Sequence, residues 1–240
     1  VAITDHGNMM AAFHFNAAVQ NHNKEAKAKN EELIAEGKEA TEQIIKPIIG
    51  SEFFVCEDHT NNSQKDNGYQ IVLLAKNKNG YQNLVKLASI AYTEGLYYGK
   101  PRIDFELLKK YHEGLICCSA CIQGELPQLL MAGMEEEAKE LALKYKNLFG
   151  PDHYYIEIQD HGLPDQKIAC EKLVKLAREL DIPLVATNDV HYVEEEDAIA
   201  QDALRCIGFK NLLHEPHSKM GGEKDLSSWY LKTESEMRSL

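Results

Sequence analysis

The sequence predicts an α/β fold, a parallel sheet of βα units, on three observations. Short apolar runs alternate with amphipathic stretches of roughly ten to eighteen residues. The apolar runs are continuous, as expected of strands covered on both faces. Metal-binding residue types follow these runs almost immediately. A barrel and an open doubly wound sheet both fit this pattern. The absence of a GxGxxG or P-loop motif weakens a nucleotide-binding open sheet.

Taken in order, Val1 to Thr4 reads as a strand and Asn8 to about Ile45 as a helix. The Lys/Glu-rich stretch from Lys24 to Glu42 is expected to be a solvated helical face. Pro47 to Val55 is a strand, followed by a polar loop from Glu57 to Gly68. Tyr69 to Ala75 is a strand and Asn77 to Tyr92 a helix. Gly114 to Cys118 is strand-like, and Met134 to Leu148 is a helix with apolar residues at helical spacing. Strands at Tyr154 to Ile158 and Ile182 to Ala186 flank a helix from Asp165 to Leu180, and a helix from Glu194 to Cys206 follows. From Leu212 the pattern turns irregular, with Gly221-Gly222, a short strand at Trp229 to Leu231 and a last helix near Thr233. No internal repeat is apparent.

The 240 residues fit one large domain or two small ones, and the 44% apolar content supplies a substantial core without disulfides. The formal charge of -12 argues against a surface that grips nucleic acid by itself, because phosphate binding needs a local excess of positive charge. Lys100 and Arg102 are the local residues expected to supply any such contact, with Arg102 the candidate phosphate contact. No run of eighteen apolar residues exists, so no transmembrane helix is expected. No signal peptide is visible, and the opening Val1-Ala2-Ile3-Thr4, without Met, reads as a piece of something longer. The six cysteines form no disulfide framework, and the lone CxxC of Cys118 and Cys121 is a weak signal. Reduced thiols in a cytoplasmic protein are expected.

The chemistry concentrates where strands end. Thr4-Asp5-His6-Gly7 follows the first strand, and Glu52 follows Ile48 to Ser51. Ser119 and Cys121 follow the strand ending at Cys118; Gln159-Asp160-His161 and Thr187-Asn188-Asp189-Val190-His191 follow two others. Parallel α/β folds build their sites at the carboxyl ends of strands, so these residues could meet although distant in sequence. Imidazole, carboxylate and thiolate together suit zinc, manganese or iron. Asp189 and His191, two residues apart at a strand end, are expected to face one side. His14, His22, His112, His153, His214 and His217 are scattered and read as surface or structural, and Cys117-Cys118 as strand packing.

Six further stretches complete the pattern: Lys46 to Phe53, Leu73 to Leu84, Lys100-Pro101-Arg102-Ile103-Asp104, Ser119 to Glu125, Glu157 to Gly162 and Thr187 to Tyr192. Together with Thr4 to Asn8 and the closing Tyr230-Leu231-Lys232-Thr233, they resemble the PHP (polymerase and histidinol phosphatase) domain family, in the form that opens the alpha subunit of bacterial DNA polymerase III. The resemblance covers nearly the whole chain, in order. It implies a distorted (β/α)7 barrel over residues 1–210, lacking its first strand, and an exit segment over 211–240 leading toward polymerase domains. It implies a cluster of divalent metal ions (zinc, manganese or magnesium) with His6, Glu52, Cys121, Asp189 and His191 as ligands. An HxH pair and a following acidic residue belong to the strand this chain lacks. Gln70 stands where the family usually has a ligand His. The implied activity is metal-dependent phosphoester hydrolysis, including 3′–5′ exonuclease action. The alternatives are a degenerate remnant that serves as a non-catalytic scaffold docking a separate proofreading exonuclease, and a free-standing phosphatase. The implied partners are DNA, through the parent polymerase, and other replicase subunits, with no membrane.

Overall fold

The computed structural model describes residues 1–213 and 228–240. Eight strands form one mixed sheet: β1 (Ala2–Ile3), β2 (Ile48–Cys56), β3 (Tyr69–Ala75), β4 (Leu96–Tyr97), β5 (Lys100–Asp104), β6 (Leu115–Cys118), β7 (Tyr154–Ile158) and β8 (Leu184–Ala186). The helices are α1 (Ala12–Ala35), α2 (Lys78–Thr93), α3 (Phe105–Tyr111), α4 (Glu125–Met131), α5 (Glu135–Phe149), α6 (Pro164–Leu180), α7 (Ala198–Phe209) and α8 (Glu234–Ser239). A 3₁₀ turn, Glu195–Asp197, precedes α7. The strand order is β4-β5-β2-β3-β6-β7-β8, with β1 alongside the first half of β2. Among the described residues this curved sheet does not close, in keeping with a distorted, barrel-like α/β architecture. His214, His217 and Gly221-Gly222 lie outside the described residues.

The all-parallel expectation needs correction at two strands. The pairs β1–β2, β2–β5, β6–β7 and β7–β8 are parallel, but β4 is antiparallel to β5 across a short hairpin, and β3 is antiparallel to both β2 and β6. The cause is the connection: only the polar loop 57–68 joins β2 to β3, and without a crossover helix the chain returns antiparallel. This reversal brings the start of β3, with Gln70, to the end of the sheet where β2 and β6 finish.

The first helix is shorter than the pattern suggests. It ends at Ala35, where Gly37 at φ +77° turns the chain and Lys38 N–H bonds the Leu33 carbonyl. The chain then runs back along α1, held by two asparagines. Asn23 bonds both the carbonyl and the amide of Ile45 (2.7 and 2.8 Å), and Asn30 does the same for Glu42 (2.9 and 2.9 Å).

The core lies between the sheet and its helices. Phe53 and Leu73 are fully buried against Leu84 and Leu87 of α2, with Ala138 and Ala142 of α5 and Leu173 of α6 extending the cluster. Each such aliphatic or aromatic side chain contributes about 1.5–3 kcal/mol on burial. No described helix is long and apolar enough to cross a membrane.

Candidate metal centre

His6 follows β1, and its position is fixed by backbone pairing to β2. Glu52 N–H donates to Asp5 O (3.0 Å) and Gly7 N–H to Glu52 O (2.8 Å). Gly7 turns at φ +67°, and a Cβ there would stand 2.5 Å from Pro101 Cγ, so the close approach demands glycine. Glu52 is 7% exposed, and its Oε1 lies 2.7 Å from His6 Nδ1. That hydrogen bond raises the His6 pKa, against the lowering effect of burial.

Gln70 bridges two of the expected ligands. Its amide nitrogen donates to Glu52 Oε1 at 2.8 Å, and its carbonyl accepts from Cys121 Sγ at 3.0 Å. Burial pushes the Cys121 thiol up to about 12, so at neutral pH it is protonated and able to make that donation. The turn carrying Cys121 passes through Ala120 at φ +64°. On the far loop, Asp189 adopts φ +44°, and His191 Nδ1 donates to the Asp189 carbonyl at 2.6 Å. The pair is therefore set by a left-handed turn after β8, not by strand alternation. Two non-glycine residues in this region, each costing of order 1–3 kcal/mol, both border the same site.

His6, Glu52, Gln70, Cys121, Asp189 and His191 all line one cavity of about 450 Å³, and the rings of His6 and His191 are 6.2 Å apart. Gln159, Gln166, Gln201, Arg205 and Trp229 are also part of its wall. Beside it lies Glu157 of β7, whose Oε1 accepts from Thr187 Oγ1 and from Gln159 Nε2 (3.2 Å) while its buried Oε2 has no partner among the described residues. Burial raises the Glu157 pKa, and the charges of Asp189 and Glu52 raise it further. Its amide donates to Ser119 Oγ (2.9 Å), so β7 ties the Cys121 turn to the loop carrying Asp189.

His161, one of the strand-end residues, faces protein on both ring nitrogens. Nε2 bonds Asn188 O (3.0 Å), Nδ1 accepts from Gln166 Nε2 (2.8 Å), and the ring stacks on Trp229 with centroids 4.2 Å apart. Arg102 corrects an expectation. It is fully buried and donates to the carbonyls of Gly95 (3.2 Å), Asp66 (2.7 Å) and His59 (3.3 Å) and to Asn62 Oδ1 (2.7 Å). It anchors the 57–68 loop, so its guanidinium is not a surface phosphate contact.

That loop and the end of β5 together hold a second group, Asp58, His59 and Asp104, whose ligand-type atoms lie within 4.8 Å of one another. No strand-end pattern in the sequence singles out this group. Asp104 caps α3 through Leu107 N–H (2.9 Å) and pairs with His59 Nδ1, while Asp58 Oδ1 accepts from Thr60 (2.9 Å to N, 2.7 Å to Oγ1). Burial pushes the Asp104 pKa up, but the His59 and Leu107 hydrogen bonds hold it below the ordinary value. Glu157 and Arg205 were not expected at the site from the sequence; the one available signal was the charge of Glu157 inside the otherwise apolar run Tyr154–Ile158.

The PHP domain profile matches residues 1–161. The chain is 46% identical over 244 residues to DNA polymerase III subunit alpha of Treponema pallidum, covering all of this chain and 19% of that protein. It is 43% identical over 245 residues to the subunit of the same name in Borreliella burgdorferi, again covering 19% of it. The corresponding protein of Deinococcus radiodurans is 44% identical over 221 residues, 89% of this chain and 15% of that protein. The chain thus spans about a fifth of the length of the curated relatives it matches.

Proposed function

Since the chain belongs to the PHP domain family, we propose that it serves as the PHP domain of a replicative bacterial DNA polymerase of the polymerase III alpha type, acting in the cytoplasm in DNA replication. Within that protein its pocket holds divalent metal and hydrolyses phosphoesters weakly. The observation that carries this reading is that His6, Glu52, Cys121, Asp189 and His191, drawn from four stretches of chain, border one cavity.

The donors fit a divalent ion. Two imidazoles, two carboxylates and a thiol are the ligand types of zinc and manganese, and Glu157 adds a buried carboxylate nearby with one oxygen unpartnered among the described residues. When bound, such an ion supplies Lewis acidity toward a phosphate ester. The chain's own residues hold and orient: Glu52 fixes the His6 ring, the Asp189 carbonyl fixes His191, and Gln70 spaces Glu52 from Cys121. Cys121 is a ligand only once its proton has left, and Gln70 keeps that proton hydrogen-bonded. Gln70 has no imidazole nitrogen to offer. Its position between two ligands favours a second reading, a scaffold that docks a separate proofreading exonuclease.

The test is metal content by mass spectrometry after incubation with zinc or manganese, alongside 3′-end release from a single-stranded oligonucleotide. Wild type should retain metal and release little nucleotide. Asp189→Ala should retain less metal, and Gln70→His should gain activity. A wild-type protein that retains no metal ends the metal reading and leaves the scaffold. Efficient wild-type cleavage abolished by Asp189→Ala ends the scaffold reading.

A further inference from the structure

The chain contains four arginines. Arg102 is buried among carbonyls, Arg238 pairs with Glu234 (2.8 Å), and Arg178 is exposed. Arg205 differs from all three. It is half-buried in the wall of the metal-site cavity, and among the described residues it has no hydrogen-bond or ion-pair partner. A guanidinium offers five N–H donors, and withdrawing it from water without an acceptor is unfavourable. Gln201, one helical turn earlier on α7, lines the same cavity and adds an amide beside it.

The rest of the wall defines what could satisfy Arg205. Glu52 and Asp189 make the cavity acidic, with Glu157 buried beside it. Neither carboxylate is within ion-pairing distance of Arg205. Divalent metal would neutralise these carboxylates and leave the guanidinium as the cavity's uncommitted cation. The chemistry that fits between metal ligands and a guanidinium fork is a tetrahedral oxyanion with two oxygens free, because arginine binds phosphate two oxygens at a time.

We propose that Arg205, assisted by Gln201, is the substrate-binding residue of this cavity and grips the non-bridging oxygens of a phosphate ester. This rests on the metal-holding reading above. It places substrate recognition on α7, away from the ligand-bearing loops.

The experiment titrates manganese alone and then inorganic phosphate, following both by calorimetry and by the emission of Trp229, the single tryptophan, which lines the cavity. Arg205→Gln should leave manganese affinity within about twofold and weaken phosphate binding to the loaded protein at least about tenfold, the loss expected for a charge-assisted pair. Arg205→Lys keeps the charge without the fork. It should show an intermediate loss, and it replaces the glutamine variant if that variant fails to fold. Phosphate binding that is equal in wild type and in the variants overturns the role of Arg205 and leaves the metal reading intact. If wild type binds no manganese, the metal reading falls. The metal-free phosphate titration then decides the inference: binding that depends on Arg205 sustains it, and binding that does not, or none, overturns it.

Discussion

Glu157 sits in β7 with one oxygen unpartnered among the described residues, and burial together with the neighbouring carboxylates raises its pKa. A carboxyl whose pKa is higher folded than unfolded binds its proton more tightly in the folded protein. Its contribution to stability is greatest below the unfolded value of about 4.5 and is lost as pH rises through the folded value. Glu157→Gln removes that loss while keeping an acceptor for Thr187. In chelator at pH 7 the variant should melt higher than wild type, by roughly 2–4 °C for each kcal/mol recovered in a domain of this size. The gap should narrow as pH falls toward 4.5, and a gap that widens on acidification would refute this account. With saturating manganese the advantage should shrink or reverse, because the cation then offsets the charge. At this scale the sequence exposed His6, Glu52, Cys121, Asp189 and His191, since polar residues stand out where an apolar run stops. It concealed Glu157 and misplaced Arg102, because the identity of a charged residue does not reveal whether its strand position is covered.

The β2–β3 loop and the β4–β5 hairpin are one unit, joined through Arg102. The side chain of Arg102 reaches from β5 to carbonyls of the loop and of Gly95, and its guanidinium lies 4.4 Å from the Tyr97 ring centroid. Arg102→Ala strands several buried carbonyls without donors. The expected cost is about 3 kcal/mol or more, read as a lower melting temperature with faster amide exchange across 57–68. Unchanged exchange in that loop would contradict the anchoring role. Apolar β2, β3, β6 and β7 and amphipathic α2, α5 and α6 were legible from periodicity. The β4–β5 hairpin was not, because its turn uses Tyr98 and Gly99 at positive φ and its second strand carries Lys, Pro, Arg and Asp. The reversal of β3 was also hidden, since pattern reveals that a strand exists and not which way it runs.

For the whole molecule, the charge of -12 governs long-range encounters with nucleic acid. With Arg102 interior, Lys100 alone of the two expected local contacts is exposed to offset it. Duplex DNA should show no binding by fluorescence anisotropy at low-micromolar protein and 150 mM salt, about the regime where phosphate contacts otherwise sustain non-specific binding. Tight, salt-sensitive binding would contradict the charge argument. The α/β class followed from strand and helix alternation and the barrel-like form only from the family resemblance, whereas the open sheet among the described residues rests on pairings that no single segment encodes.

Asn188, next to Asp189, holds the carbonyls of Ser228 (2.9 Å) and Tyr230 (2.7 Å) with its amide, and His191 N–H holds the Trp229 carbonyl (2.9 Å). The loop bearing two metal-type ligands and the segment 228–230 therefore share hydrogen bonds, and their equilibria are linked. Any free energy by which an occupied pocket favours one shape of the loop must reappear, equal in size, as a preference in how that segment docks. Tension or partner contact applied to the segment would, by the same reciprocity, retune the pocket's affinity without touching a ligand.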